Sequence, residues 1–228
     1  MKRRRPGLQN RWAYVVNTLQ EIIPSYKETS SIISIHEDDR MRAKSVAFAV
    51  RKGSLVLDLG AGPGLMSRLV VSKGGEPVLL DVSQAMLRAS RFPNRVRGVF
   101  EFLPFREGVF DSAVSGFALR DSLDLPLAVR QLARSLRPGG RLSFCDLGKP
   151  DSAIAALMIA LYLRVAPGII GLTTSGILGL RYGSIYDTYV LTLHNSELKE
   201  LLSRHFGNVE MEETQFGGSI VVKCFKSG

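Results

Sequence analysis

Three glycines and two acids carry the strongest chemical signal in this chain of 228 residues. Gly60, Gly62 and Gly64, with Ala61 and Pro63 between them, follow the run Leu55-Val56-Leu57-Asp58-Leu59. Positions without side chains let the backbone turn sharply and let a ligand lie against it. Leu65 to Ser72 then reads as a helix whose unpaired N–H groups face the same turn. Val78, Leu79 and Leu80 form a second apolar run that ends in Asp81. A carboxylate at the tip of a second strand is placed to accept both hydroxyls of a ribose. Asp58 lies where a carboxylate would face a cationic ligand. The spacing G-x-G-x-G is shorter than the dinucleotide fingerprint, and the absence of G-K-S/T excludes a P-loop. An ordinary tight turn explains the glycines alone, but not the glycines together with Asp81.

These residues need strands to hold them, and residues 53 to about 147 alternate strand and helix. Strands are expected at Leu55–Leu59, Pro77–Leu80, Arg95–Phe100, Phe110–Phe117 and Arg141–Asp146. Ser83 is a good cap for the helix to Arg91. A helix over Leu125–Leu136 carries Leu125, Val129, Leu132, Ala133 and Leu136 on one side, and Arg137-Pro138-Gly139-Gly140 stops it. Short, doubly buried runs alternating with helices imply a doubly wound parallel sheet. Its ligands bind beyond the carboxyl ends of the strands, where Gly60–Gly64, Asp81, Phe100 and Gly116 fall.

Before the first strand, Trp12, Val15, Val16, Leu19, Ile22 and Ile23 recur at helical spacing until Pro24. Ser25–Ile35 reads as a loop or lid, and a second helix starts near Ser34–Glu37 and continues through Met41, Val46, Phe48 and Val50. Residues 1–52 thus form an N-terminal helical lid, in which Tyr26 and His36 are the residues able to touch a ligand. Ala153–Leu163 and Ile169–Leu180 are apolar, with Arg164 and Pro167-Gly168 between them. Each half is shorter than the roughly 20 residues that span a bilayer. Two short elements joined by a turn are expected, as an apolar insertion over about 153–185 that caps the cavity, faces a partner or dips into a membrane surface. A helix capped by Asn195 or Ser196 follows, ended by Gly207. Val209–Gln215 and Ser219–Phe225 then form a hairpin through Phe216-Gly217-Gly218.

A hydrophobic content of 45% suffices for one α/β domain with decorations. The net charge of +9 is partly concentrated in Lys2, Arg3, Arg4 and Arg5. Such a run attracts phosphates of nucleic acid or of an anionic membrane, or is a solvated tail. No signal-peptide core follows it. Cys145 and Cys224 have neither metal spacing nor a C-x-x-C pattern and read as small core residues of a reducing cytoplasm. No metal is expected.

The glycine corner LDLGAGPG, Asp81, the RPGG turn and the final hairpin together resemble the class I S-adenosylmethionine-dependent methyltransferases over about 52–228. The expected fold is therefore a Rossmann-like, mostly parallel seven-stranded sheet with a terminal antiparallel hairpin. Within that class, GVFEFLPFREGVFDSAVSGFALRD and LRPGGRLSFCDLGKP resemble the ubiquinone/menaquinone biosynthesis C-methyltransferases. Their pattern runs roughly G-D-A-E-x-L-P-F, F-D, S-F-G-L-R-N, L-K-P-G-G and E-F-S-K-P. That family methylates a ring carbon of a polyprenylated quinol. The resemblance implies that Gly60, Ala61, Gly62, Pro63 and Gly64 line the methionine end of S-adenosylmethionine. Asp81, beside Val82, binds the ribose; Val99 and Phe100 flank the adenine; Gly116 closes near the sulfonium. Arg120 faces the acceptor side, and Asp146 takes the place of the family's glutamate. Val99 stands where the family has an aspartate, Gly116 where it has a serine, and Asp121 where it has an asparagine.

The sulfonium methyl is already activated, so such an enzyme aligns an in-line displacement and excludes water. A phenolic ring becomes a carbon nucleophile once its hydroxyl loses its proton. Arg120 is the candidate cation for that step, or a salt-bridge partner of Asp121 or Asp124. Asp146 or His194 is the candidate base. The expected partners are a lipophilic aromatic substrate, a peripheral contact at the inner face of the membrane, and a second copy of the chain. RNA is the rival acceptor, favoured by charge. Ser115-Gly116-Phe117-Ala118 lacks the D/N-P-P-F/Y motif of an amino-group methylase, however, and no second Pro-Cys element accompanies Cys145. Another small-molecule acceptor and a non-catalytic cofactor-binding scaffold stay open.

Overall fold

The computed structural model describes residues 26–34 and 37–227. The expected helix over residues 12–23 lies outside the described residues, as do the structure of the basic run and His36. One seven-stranded sheet has the order β3-β2-β1-β4-β5-β7-β6. β1 (Leu55–Leu59) and β4 (Phe110–Gly116) occupy its middle, where Leu57 and Val114 have no exposure to solvent. That is why both strands read as unbroken apolar runs. β1 pairs in parallel with β2 (Glu76–Asp81) and with β4, and β4 pairs in parallel with β5 (Leu136–Leu147). β3 is only Arg95–Arg97, shorter than expected, and leaves Gly98–Phe100 as loop. β5 includes the Arg137–Gly140 turn, with a register shift between Phe110 and Ser112 opposite it. β6 (Phe206–Thr214) and β7 (Ser219–Lys226) form the expected antiparallel hairpin, and β7 pairs antiparallel with β5.

Helices cover both faces. On one, α5 (Leu125–Ser135) and α8 (Asn195–Ser203) bury Leu125, Val129, Leu132, Leu198 and Leu202 against Leu57, Leu80, Phe110 and Phe144. Each such leucine contributes about 1.5–3 kcal/mol of burial. On the other, α2 (Asp38–Ala49) and α3 (Leu65–Ser72) bury Val46, Ala49, Met66 and Val70 against Val56 and Val114. Ser83 caps α4 (Gln84–Ala89) by accepting the Met86 N–H at 3.2 Å, as its sequence position implied.

Three further expectations change. The stretch read as a loop contains α1 (Tyr26–Ile33), which leans on the apolar insertion: the Thr29 and Thr174 hydroxyls share a hydrogen bond of 2.7 Å. The insertion is not two short elements but one helix, α6 (Ala153–Ser175), running through Pro167. A proline removes one intrahelical bond. Here Leu163 on one side of it and Gly171 on the other are both buried against the protein, and that packing holds the helix through the break. A 3₁₀ segment (Gly176–Gly183) and α7 (Ser184–Leu191) follow. Finally, α8 is capped at His194, not Asn195 or Ser196. The His194 N–H donates to Glu197 Oε2 at 2.9 Å, while Asn195 is used elsewhere, donating to Gly217 O at 3.0 Å.

Candidate functional site

The β1–α3 corner bends at three glycines with positive φ: Gly60 at 68°, Gly62 at 53° and Gly64 at 88°. Two of them face crowding as well. A Cβ on Gly60 would collide with the Ala118 methyl, and one on Gly64 would stand 2.9 Å from the Phe92 ring. The loop is stitched to β2, since Gly60 N donates to Leu80 O at 2.8 Å and Gly62 N to Asp81 Oδ2 at 2.8 Å. Asp81 also accepts the Ser83 N–H at 2.8 Å. Burial raises its carboxyl above the ordinary value, and the backbone N–H groups of Ser83 and Gly62 pull the other way.

This corner opens into a cavity of about 450 Å³, within the range of small-molecule sites. Gly60, Ala61, Gly62, Pro63, Asp81 and Val82 line one part, and Val99, Phe100 and Gly116 line it too. Gly64 does not line it; its left-handed backbone caps α3. Asp58 does not line it either. It is wholly buried beneath the loop and accepts the Ser67 hydroxyl at 2.5 Å. Burial pushes its carboxyl up to about 6, and Oδ1 has no hydrogen-bond partner among the described residues.

Of the three candidate catalytic residues, Arg120 and Asp146 are brought together and His194 stands apart. Arg120 lines the cavity, but Asp146 lies behind it. Asp146 forms an ion pair with Arg120 Nη1 and accepts the N–H groups of Arg120 at 3.2 Å and Leu147 at 2.8 Å. His194 stands at the start of α8, Nδ1 2.9 Å from Pro150 O, and is not a cavity residue. In their place the cavity presents Asp121. Its Oδ1 stands 3.6 Å from Arg120 Nε and has no hydrogen-bond partner among the described residues. Burial pushes the Asp121 carboxyl up to about 6, with Arg120 opposing the shift.

Arg42 is the residue that the sequence did not disclose. It comes from α2, is 3% exposed, and lines the cavity beside Gly116. Its guanidinium stacks 4.8 Å from the centroid of the Phe117 ring, and Nη1 donates weakly to Gly116 O at 3.4 Å. Nη2 stands 3.9 Å from Asp38 Oδ2. Nε and Nη2 have no hydrogen-bond partner among the described residues. A buried guanidinium with two nitrogens lacking hydrogen-bond partners is costly unless an anion completes it. Asp38, Arg42, Ser45, Met41, Val46 and Ala49 share the inward face of α2. An Asp–Arg pair four apart on an otherwise apolar or small face was the available signal.

The far wall is apolar. Met158, Ile159, Tyr162 and Leu163 of α6 line it with Tyr182, Ile185 and Phe216. The cavity is therefore polar at the glycine corner and apolar at α6, with Arg120 and Asp121 among its lining residues.

A sheet of this order, with a glycine corner after its first strand and an acid ending its second, defines a class I methyltransferase domain. The residues fit S-adenosylmethionine: the buried guanidinium of Arg42 suits its carboxylate, and at Gly62, where a Cβ would meet nothing nearer than Met86 Sδ at 3.9 Å, the loop leaves the cavity open. A model of the methyltransferase domain family matches residues 57–144. A demethylmenaquinone methyltransferase of Mycobacterium marinum is 34% identical over 155 residues, 67% of each chain. One from Clavibacter sepedonicus is 30% identical over 189 residues, 78% of this chain and 76% of its own. Among solved structures, a methyltransferase from Thermotoga maritima matches with TM-score 0.66 and 14% identity, covering 92% of this chain and 99% of that one. The chain belongs to the class I S-adenosylmethionine-dependent methyltransferases, and within them it resembles the menaquinone family.

Proposed function

We propose that this enzyme methylates a ring carbon of a lipophilic quinol in quinone biosynthesis. The observation that carries the reading is the two-ended cavity, polar where the cofactor's charged groups belong and apolar along α6. The names of the curated relatives point to the same substrate class.

In this reading Gly60–Pro63 receive the methionine end, Asp81 and Val82 the ribose, and Val99 and Phe100 the adenine. Gly116 keeps the floor open, and Arg42 pairs with the carboxylate. The cofactor supplies an activated methyl on a sulfonium. The chain's own work is to align the ring, exclude water and take one proton. In this reading Arg120 is a positioning residue, its guanidinium paired with Asp121 and Asp146. Asp121 lines the cavity beside Arg120, and burial holds its carboxyl near 6. In this reading it accepts the quinol hydroxyl proton as the ring carbon takes the methyl and the carbon–sulfur bond breaks. The ring carbon then releases its own hydrogen as a proton and the oxygen is reprotonated, so one proton leaves in all. Arg120 keeps Asp121 in place.

The test is transfer of labelled methyl from S-adenosylmethionine into a reduced demethylmenaquinone, with total RNA offered in parallel. Label bound to a ring carbon is the expected result. Label in RNA alone would overturn the reading and return the basic charge to an RNA-binding role.

A further inference from the structure

Among the described residues, nothing covers the apolar outer side of α6. Ile154, Leu157, Leu161, Val165, Ile169 and Leu172 recur every three or four residues, so they form one stripe. Ile154 is 75% and Leu157 60% exposed. At 1.5 Å per residue the stripe runs roughly 27 Å. Ile177, 82% exposed, extends it into the 3₁₀ segment. The stretch 153–174 is long and apolar enough to cross a membrane, and 11% of its most apolar window is buried. Scattered exposed apolar residues are ordinary, but a continuous stripe marks an interaction surface.

The opposite side of α6 is tied down. Tyr162 Oη donates to Ile33 O at 3.0 Å, and Tyr189 Oη donates to Ala156 O at 3.0 Å. Gly171 meets the backbone of Gly179 with no room for a side chain at either position. The helix thus lies along the domain, where a spanning helix would stand away from it.

Charge selects the occupant. Residues 153–186 contain no Asp or Glu and two arginines, Arg164 and Arg181. The whole chain carries +9. An apolar stripe flanked by cations suits the interface of an anionic bilayer, where chains take the apolar side chains and phosphates take the cations. The stripe is also continuous with the cavity: Met158, next to Leu157, and Phe216, 92% exposed, both line it.

We propose that α6 and the 3₁₀ segment form a membrane-docking surface, lying flat in the headgroup region of an anionic bilayer with the cavity opening onto it. This is independent of the identity of the methyl acceptor. The test is flotation of the full chain with vesicles of phosphatidylcholine containing about a third phosphatidylglycerol. The chain floats with these vesicles and more weakly with pure phosphatidylcholine. Leu157→Glu with Leu161→Glu, neither a cavity residue, lowers partitioning at least about tenfold. That variant keeps the melting temperature and the cofactor Kd. Arg164→Gln with Arg181→Gln lowers partitioning onto anionic vesicles roughly fivefold per cation. A chain that stays at the bottom with anionic vesicles, or a double glutamate variant that floats like the parent, overturns the proposal. A non-floating dimer split by the glutamates also overturns it and assigns the face to a second copy.

Discussion

Arg42→Met tests the cofactor geometry most directly. The methionine stem keeps the contact with Phe117 and removes the guanidinium. Two opposed effects follow. The parent guanidinium is buried, and among the described residues its one hydrogen bond is the weak one from Nη1 to Gly116 O at 3.4 Å, so the empty protein loses little hydrogen bonding. Asp38, 2% exposed, loses its cation at 3.9 Å, though it keeps the Ser34 hydroxyl at 3.2 Å. Stability therefore changes modestly, and binding carries the main effect. A hydrogen bond to a charged group is worth about 1.5–3 kcal/mol, which is roughly 10- to 150-fold in Kd.

The assay is calorimetric titration with S-adenosylmethionine and, in parallel, with its decarboxylated analogue. The variant binds the intact cofactor 10- to 150-fold more weakly. It binds the analogue about as well as the parent does, because the group that Arg42 meets is already gone. Equal losses for both ligands would refute the carboxylate assignment. They would show that Arg42 shapes the cavity through Gly116 and Phe117 instead.

Asp121→Asn lowers kcat by about 10²–10⁴ and leaves the cofactor Kd unchanged, which single-turnover kinetics and titration separate. In the parent, kcat rises with pH through about 6, because only the ionised Asp121 accepts a proton; a flat profile would remove it from the mechanism. Asp58→Asn tests the buried acid under the loop. A carboxyl raised to about 6 binds its proton more tightly in the folded state, so its stability contribution is full below pH 4 and lost as pH rises through 6. The variant lacks that loss, so it gains on the parent between pH 4 and pH 7, by about 3 kcal/mol at most in thermal or urea unfolding. His194→Ala leaves kcat within about twofold while removing a side-chain bond of about 1 kcal/mol to Pro150. Gly60→Ala places a methyl at positive φ against Ala118, and a loss of about 1–3 kcal/mol in unfolding experiments is expected.

The cofactor corner was legible because its signal is local. Gly60–Gly64 and Asp81 declare a strand, a turn and a second strand tip within about two dozen residues. The acceptor side was less so, because strand register decides it. Arg120, Asp121 and Asp146 all sit near the ends of β4 and β5, and the sequence does not say which carboxylate turns inward. Asp146 pairs behind Arg120 while Asp121 reaches the cavity. Asp58 looked exposed to a ligand because it sits beside the glycines, but the alternation of β1 points it away into the layer of α3. Arg42 lay hidden for another reason. A helix is read by its apolar residues, and a buried charge on that face becomes visible only when tertiary packing seals it.

The reading of α6 as two pieces failed at Pro167, and the failure joins the two proposals. Local chemistry treats proline as a stop, but Leu163 and Gly171 on either side of it are fixed by packing that local propensity does not know about. Because the helix continues, one element serves on two sides. Its inner side supplies Ile159, Tyr162 and Leu163 to the cavity, and its outer side presents Leu157 and Leu161 to solvent. A polyprenyl tail drawn into water would cost about 0.8 kcal/mol for each CH₂ exposed, far more than ring contacts in a cavity return. A cavity whose apolar wall is also the docking face avoids that cost, since the tail stays in lipid while the ring reaches Asp121. Under the two proposals the exposed stripe and the apolar cavity wall have one physical cause: the reacting ring of a quinol is polar and its tail is not.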